Sequence, residues 1–230
     1  MMLRSCALCA LLLICTACAS QFGAAKHALE YSLVDKDEVE FEGLKRYPGD
    51  VVCGMYRAFG RWDSNGNIDF SPFLFRQGDI DGRPSPRDRA VFCSDDPAES
   101  LYSQFGISLS ASSVGSIEKI RGDYAAILDA LERYHTNNRR YPATAETLES
   151  LVRKQSGYQK PGPTSTGGYI DKVPIDPWGR PYIYTGQGLA GVQGYVKLLT
   201  RGADGKIGGK DENADIGSWL FKYIDHVTSL

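Results

Sequence analysis

SIEKIRGDYAAILDALERY, residues 116–134, decides the fold. Its apolar residues Ile117, Ile120, Tyr124, Ile127, Leu128, Leu131 and Tyr134 recur at three- and four-residue steps, which stack on one face of an α-helix. The spacing predicts one long helix with a buried stripe. Ser112 or Ser113 can cap its start. Asn137-Asn138 ahead of Arg139-Arg140-Tyr141-Pro142 ends it, because the residue before a proline leaves the helical region. The cationic pair Arg139-Arg140 complements the negative end of the helix dipole.

Downstream, a second and shorter helix is expected after Thr144, burying Leu148, Leu151 and Val152. Residues 154–168 are rich in Gly, Pro and Ser and read as a loop. Pro174-Ile175-Asp176-Pro177-Trp178-Gly179-Arg180-Pro181 reads as a rigid turn, with prolines fixing the backbone and Gly179 free to take a positive φ. Tyr182-Ile183-Tyr184 and Gly194 to Thr200 then read as paired strands. Trp178 and Trp219 read as packing residues beside turns. His27, His135 and His226 have no partner at ligand spacing, so surface or helix-end positions are expected.

Upstream, residues 96–112 are polar and small, with Asp96-Pro97 at one end and Ser108 to Ser113 at the other, and read as a linker. Residues 36–95 read as a small β-rich domain. Val39-Glu40-Phe41-Glu42 alternates, and Asp50 to Tyr56, Phe70 to Phe75 and Ala90 to Cys93 follow as further strands. Asp63-Ser64-Asn65-Gly66 lacks the sixth-position Gly and twelfth-position Glu of an EF-hand and is better read as a hairpin turn at Asn65-Gly66.

At the N-terminus, Arg4 precedes an apolar run from Cys6 to Cys18 that ends in small residues, the pattern of an export signal over residues 1–19. The run is too short to cross a bilayer, which takes about twenty residues. Two processing sites compete. Ala17-Cys18-Ala19 suits ordinary signal peptidase, while Thr16-Ala17-Cys18 resembles a lipoprotein box that would acylate Cys18, with Cys15 replacing its usual leading Leu. Of six cysteines, only Cys53 and Cys93 lie beyond the leader. In an oxidising compartment the expected state of such a pair is a disulfide; two free buried thiols are the alternative.

The composition, 42% hydrophobic and 23% charged over 230 residues, is ordinary for one large globular domain or two small ones. A formal net charge of -2 without basic blocks gives no reason to expect nucleic acid as a partner. No nucleophile with a base, zinc signature or phosphate loop is present.

The order of helix, short helix, hairpin and loop is joined by distinctive words. They are Asn138-Arg139-Arg140-Tyr141-Pro142, Asp176-Pro177-Trp178-Gly179-Arg180-Pro181-Tyr182, Gly202-Ala203-Asp204-Gly205-Lys206-Ile207-Gly208-Gly209 and Asn213-Ala214-Asp215-Ile216-Gly217. Together, over about residues 113–219, they resemble the C-terminal domain of the major pseudopilin, the G subunit of type II secretion. The resemblance implies an α+β head in which a long helix packs on a small antiparallel sheet, with calcium held in the final loop. By family position it implies Asp204, Asp211 and Glu212 as side-chain ligands with the Arg201 main-chain oxygen. Asp215 is an alternative ligand that can instead cap the turn at Ile216. Relatives often place Gly or other residues near 211 and 212.

Physical chemistry is compatible with that expectation. Calcium takes about six to eight oxygens from carboxylates and carbonyls. Four acids lie in one short segment with Gly205, Gly208 and Gly209 to let the chain curl. A solvated acidic loop near Lys206 and Lys210 that needs no metal is the competing reading.

A major pseudopilin begins with a prepilin leader and an apolar helix that runs straight into the head. Here about ninety residues separate the export signal from Ile117, which argues against polymerisation into a pseudopilus. The expected organisation is an export signal at 1–19, a β-rich domain at 36–95, a linker at 96–112 and a pseudopilin-like domain at 113–230. The expected function is a non-catalytic, calcium-stabilised structural or interaction protein in the periplasm or at the periplasmic face of the outer membrane. Its expected partners are envelope proteins, secretion machinery among them, and it meets the membrane only through a lipid anchor. The alternatives are a soluble periplasmic binding module unrelated to secretion and a hydrolase using Asp204 and Asp211.

Overall fold

The computed structural model describes residues 22–33, 36–60, 69–152, 168–187 and 195–230. The export signal with Cys18 and the Asn65-Gly66 turn fall outside them. Two compact units result, one formed by residues up to Ser100 with Ser229–Leu230 and one by Leu101–Thr228.

In the first unit, helix α1 (residues 22–32) precedes four strands: β1 (Lys36–Tyr47), β2 (Val51–Gly60), β3 (Ser71–Arg76) and β4 (Asp79–Asp81). They form an antiparallel sheet in the order β1-β2-β3-β4. Ala25 and Leu29 of α1 pack with Val52, Phe73 and Phe75 of the sheet into a core, and Phe41 meets Phe73 edge to face at 5.9 Å. A short helix, α2 (Pro86–Phe92), closes the unit.

Residues 90–93 are thus the end of a helix and not the strand their apolar character suggested. Ser85 caps α2 by accepting from the Asp88 amide at 3.1 Å, and Pro86 occupies the first turn. These start signals outweigh a four-residue apolar run too short to show a period. Cys53 of β2 and Cys93 at the C-cap of α2 form a disulfide with Cα atoms 6.0 Å apart.

The segment read as a linker contains α3 (Pro97–Phe105). Asp96 accepts from the Glu99 amide at 3.0 Å, so Asp96-Pro97 is an N-cap followed by a first-turn proline. The same two residue types also make turns, which is why composition alone pointed to a loop.

The second unit is built on α4 (Ala111–Asn138), with Ile117, Ile120, Tyr124, Ile127, Ala130, Leu131 and Tyr134 buried along one stripe. The helix starts slightly earlier than expected, with Ser110 at the N-cap, while Ser113 lies inside its first turn and donates to the Ser108 carbonyl at 2.5 Å. Arg139 ends it in the left-handed conformation at φ 58°, its amide donating to His135 O at 2.7 Å.

Two 3-10 turns, Thr144–Glu146 and Leu148–Leu151, replace the expected second helix, because Thr147 between them takes φ 56°. Leu148 and Leu151 are buried as expected. Hydrogen bonds from Arg140 and from the Ala143 amide hold the Glu146 carboxyl down to about 2.

Strands β5 (Ile183–Gln187), β6 (Tyr195–Thr200) and β7 (Ile216–Gly217) form an antiparallel sheet in that order. Tyr124 joins helix to sheet by donating to Ile216 O at 2.7 Å, with its ring 5.0 Å from that of Tyr182. Tyr184 donates to Pro142 O at 2.7 Å. A last helix, α5 (Phe221–Thr228), buries Tyr223, Ile224 and also His226, which is 2% exposed and not at the surface. The fold is α+β: a long helix packed on a small antiparallel sheet, preceded by a smaller β-rich region.

The disulfide closes a segment of 40 residues. Loop-closure entropy then gives it about 3–4 kcal/mol of stabilisation. Cys93→Ser is expected to lower the calorimetric unfolding midpoint of the first unit while leaving that of the second in place. An unchanged first transition would show that the bond adds no stability.

Candidate functional site

The acidic segment between β6 and β7 is positioned by a buried carboxylate that precedes it by a full hairpin. Asp176 is 3% exposed. Its Oδ1 accepts from the Trp178 amide at 3.0 Å and the Arg180 amide at 2.7 Å, while Oδ2 accepts from Thr200 Oγ1 at 2.7 Å. The first two bonds form an Asx-type turn, the local geometry that Asp favours over longer acids. The third ties the turn to the last residue of β6.

Arg180 then leaves the turn in a fixed direction and donates through Nη2 to Gly202 O. Gly202 has φ 55°, and a Cβ there would run into the backbone of Asn213. Only glycine lets the two sides of the loop approach this closely. Ala203 N donates to Glu212 O at 2.6 Å across the same gap, and Gly205 N donates to Arg201 O at 3.1 Å.

A second polar group braces the turn from α4. Tyr182 Oη donates to Asp123 Oδ2 at 2.5 Å, and Lys119 Nζ bridges that carboxylate at 2.5 Å to Ile175 O at 2.7 Å. Burial, then the hydrogen bond to Asp123, push the Tyr182 phenol well above its ordinary range. It stays protonated and so keeps the proton that it donates to Asp123.

The expected ligands do not converge. Asp204, Asp211 and Glu212 are exposed, whereas Asp215 is half-buried. Asp204 Oδ1 accepts from Lys206 N at 2.9 Å and Asp215 Oδ2 from Gly208 N at 3.0 Å. Asp215 therefore ties back across the loop and does not cap the turn at Ile216. Among the described residues no three of His, Cys, Asp and Glu are grouped so as to hold a metal. Backbone donors of the loop thus take up one oxygen each of Asp204 and Asp215, which offsets part of the cost of crowding acids into one segment.

Within the loop segment, Asp215 Oδ1 and Arg201 Nε are buried and have no hydrogen-bond partner among the described residues. A buried carboxylate oxygen in that state carries a desolvation cost that a cation or an ordered water would offset. The donors present are all hard oxygens, the kind that calcium takes. Of the four acids, Asp215, first read as an alternative ligand, is the one with a buried oxygen left without a protein donor.

Trp219 lies over Gly217, whose Cβ position its ring would fill, and Lys197 Nζ sits 5.6 Å from that ring. Trp219 is 44% exposed, so it packs on the sheet with one face outward.

The sequence reading missed Asp176, Arg180 and Thr200 as organisers of the loop. A signal for Asp176 was available in its position two residues before Trp178, the offset of an Asx turn. Nothing local marks Thr200, whose partner is 24 residues away.

A family model described as "Type II secretion system (T2SS), protein G" matches residues 109–219. The chain is 46% identical over 99 residues to the type II secretion system core protein G of Pseudomonas aeruginosa, covering 43% of this chain and 68% of that protein. The same protein of Vibrio cholerae is 40% identical over 102 residues, covering 44% and 67%. That of Aeromonas hydrophila is 37% identical over 105 residues, covering 46% and 69%. Among solved structures, the major pseudopilin from the type 2 secretion system of enterohaemorrhagic Escherichia coli is 30% identical. That match covers 48% of this chain and 87% of the other, with a TM-score of 0.36.

Asp176→Ala removes the acceptor of two amides and a hydroxyl, and a buried network broken on one side costs about 3 kcal/mol or more. Chemical denaturation of the second unit is expected to show that loss. Thr200→Val, which removes one bond, is expected to cost about 1–2 kcal/mol. A fully stable Asp176→Ala protein would show that the turn is held by its prolines alone.

Proposed function

Because this chain belongs to the type II secretion system protein G family, we propose that it is a calcium-stabilised pseudopilin-like head that docks on the envelope machinery of type II secretion. The coarser role is that of a non-catalytic structural or interaction protein tied to that system, the family having no catalytic activity. The hydrolase alternative therefore falls away, and the binding module unrelated to secretion gives way to the family assignment. The location is the periplasm or the periplasmic side of the outer membrane, in keeping with relatives from Gram-negative bacteria.

Calcium is the finer part of the reading, and the buried, unpartnered Asp215 Oδ1 is the observation that carries it. Asp215 and Asp204 would hold the ion with the Arg201 carbonyl, and Asp211 and Glu212 complete the acids of the loop. The ion would supply positive charge and a cross-link between the two sides of a segment poor in apolar contacts. The protein's own part is to hold Gly202 and Ala203 against Glu212 and Asn213, which keeps the two ends of the loop together.

Docking is supported by the family assignment and by the start of α4. The helix begins after Ser110, whose backbone is extended, and the chain turns at Gly106 with φ 70°, so the head's helix is not one rod with what precedes it. A subunit of this form suits attachment to the machinery better than stacking along a filament. Export through residues 1–19, with acylation at Cys18 or cleavage after Ala19, belongs to the same reading. Among the described residues no helix is long and apolar enough to cross a membrane.

A ligand at a hundred times its dissociation constant adds about 2.7 kcal/mol. Thermal unfolding of the purified protein is therefore expected to shift upward by on the order of 10 °C between chelator and saturating calcium. Asp215→Asn is expected to abolish the shift. An identical midpoint in both buffers would remove calcium from the reading, and failure of the tagged full chain to co-purify with secretion subunits would remove the docking.

A further inference from the structure

The family match begins at residue 109, yet residues just before it grip the acidic loop. The carbonyl of Gly106 accepts from the Asp211 amide at 2.7 Å. Gly106 has φ 70°, and a Cβ there would lie 2.5 Å from the Gly209 carbonyl oxygen and 3.0 Å from Lys210 Cα. The two backbones therefore touch directly, at a place where only glycine fits. On the adjacent turn, Lys210 Nζ sits 5.2 Å from the centre of the Tyr102 ring.

The gripping segment is itself anchored. Phe105 stacks on Tyr223 of α5 with ring centroids 5.0 Å apart, and Leu101 and Ile107 on either side are buried at 0% and 2% exposure. The loop, by contrast, buries little of its own beyond Gly202 and Ala214, and residues 206–213 are all exposed. A segment with so few apolar contacts opens easily unless something outside it holds it.

We infer that residues 102–106 are a strap that keeps the loop of residues 201–215 closed whether or not a cation is bound. The strap grips residues 209–211, while Arg180 holds Gly202. With these points fixed by the protein, cation binding meets an ordered loop and pays less to order it, as a preorganised site does. This inference stands apart from the calcium proposal: the strap's contacts are made by the chain alone.

Lys206 and Lys210 are exposed within the loop, so a protease specific for lysine reports its opening. Full-length protein, Gly106→Val and Tyr102→Ala are digested with endoproteinase Lys-C in chelator, with the cut sites identified by mass and the fold checked by circular dichroism. The wild-type loop is expected to resist, and the variants to be cut after Lys206 or Lys210 about tenfold faster, since cleavage follows the population of the open form. Tyr102→Ala keeps the test valid if Gly106→Val does not fold. Wild-type protein cut as fast as the variants in chelator would overturn the strap, as would variants as resistant as wild type. Terbium luminescence on the wild-type protein separates the two proposals: no binding there removes the cation and leaves the strap standing.

Discussion

A buried carboxylate with three protein donors sets the geometry of the second unit. Asp176 could not be buried without partners, because an unpaired charge away from water is costly. It finds the amides of Trp178 and Arg180 and the hydroxyl of Thr200. Satisfying that one side chain fixes the turn, fixes where β6 ends, and aims Arg180 at Gly202. The acidic loop is thus placed by a network lying outside it. The link to α4 through Tyr182, Asp123 and Lys119 carries the same constraint back to the long helix.

Much of this was legible in the sequence and some was not. The stripe from Ile117 to Tyr134 was readable because helical periodicity persists over many residues, and the hairpin because strands alternate around turn residues. Residues 90–93 and the segment at Pro97 differ from expectation because each helix is too short to display its period: the first shows only a brief apolar run, and Asp-Pro at the start of the second suits a turn as well as a helix. The second helix after Thr144 failed because a left-handed Thr147, which propensity does not foresee, divides it into two 3-10 turns. Leu220, Tyr223 and Ile224 have helical spacing, but helix α5 spans only 8 residues, too few for its period to stand out from the loop before it.

The site followed a different rule. Sequence proximity placed four acids in one segment, but proximity in sequence is not convergence in space. Asp204 and Asp215 are each taken up by a backbone amide of the loop, and Asp211 is held through its own amide by Gly106. Charge that seemed to call for a dication is spread over a frame of hydrogen bonds, and one buried oxygen of Asp215 is left over. The protein is then a scaffold whose loop is shaped mainly by its own chain, in a family whose work is structural and not catalytic.

Native-state hydrogen exchange resolved to single amides addresses the role of Asp176 most directly. If its carboxylate holds the turn and the loop, the amides of Trp178, Arg180 and Ala203 exchange only when the whole second unit opens, at the rate of the α4 core. Exchange of those three at the rate of an unprotected loop, with α4 still protected, would contradict the account.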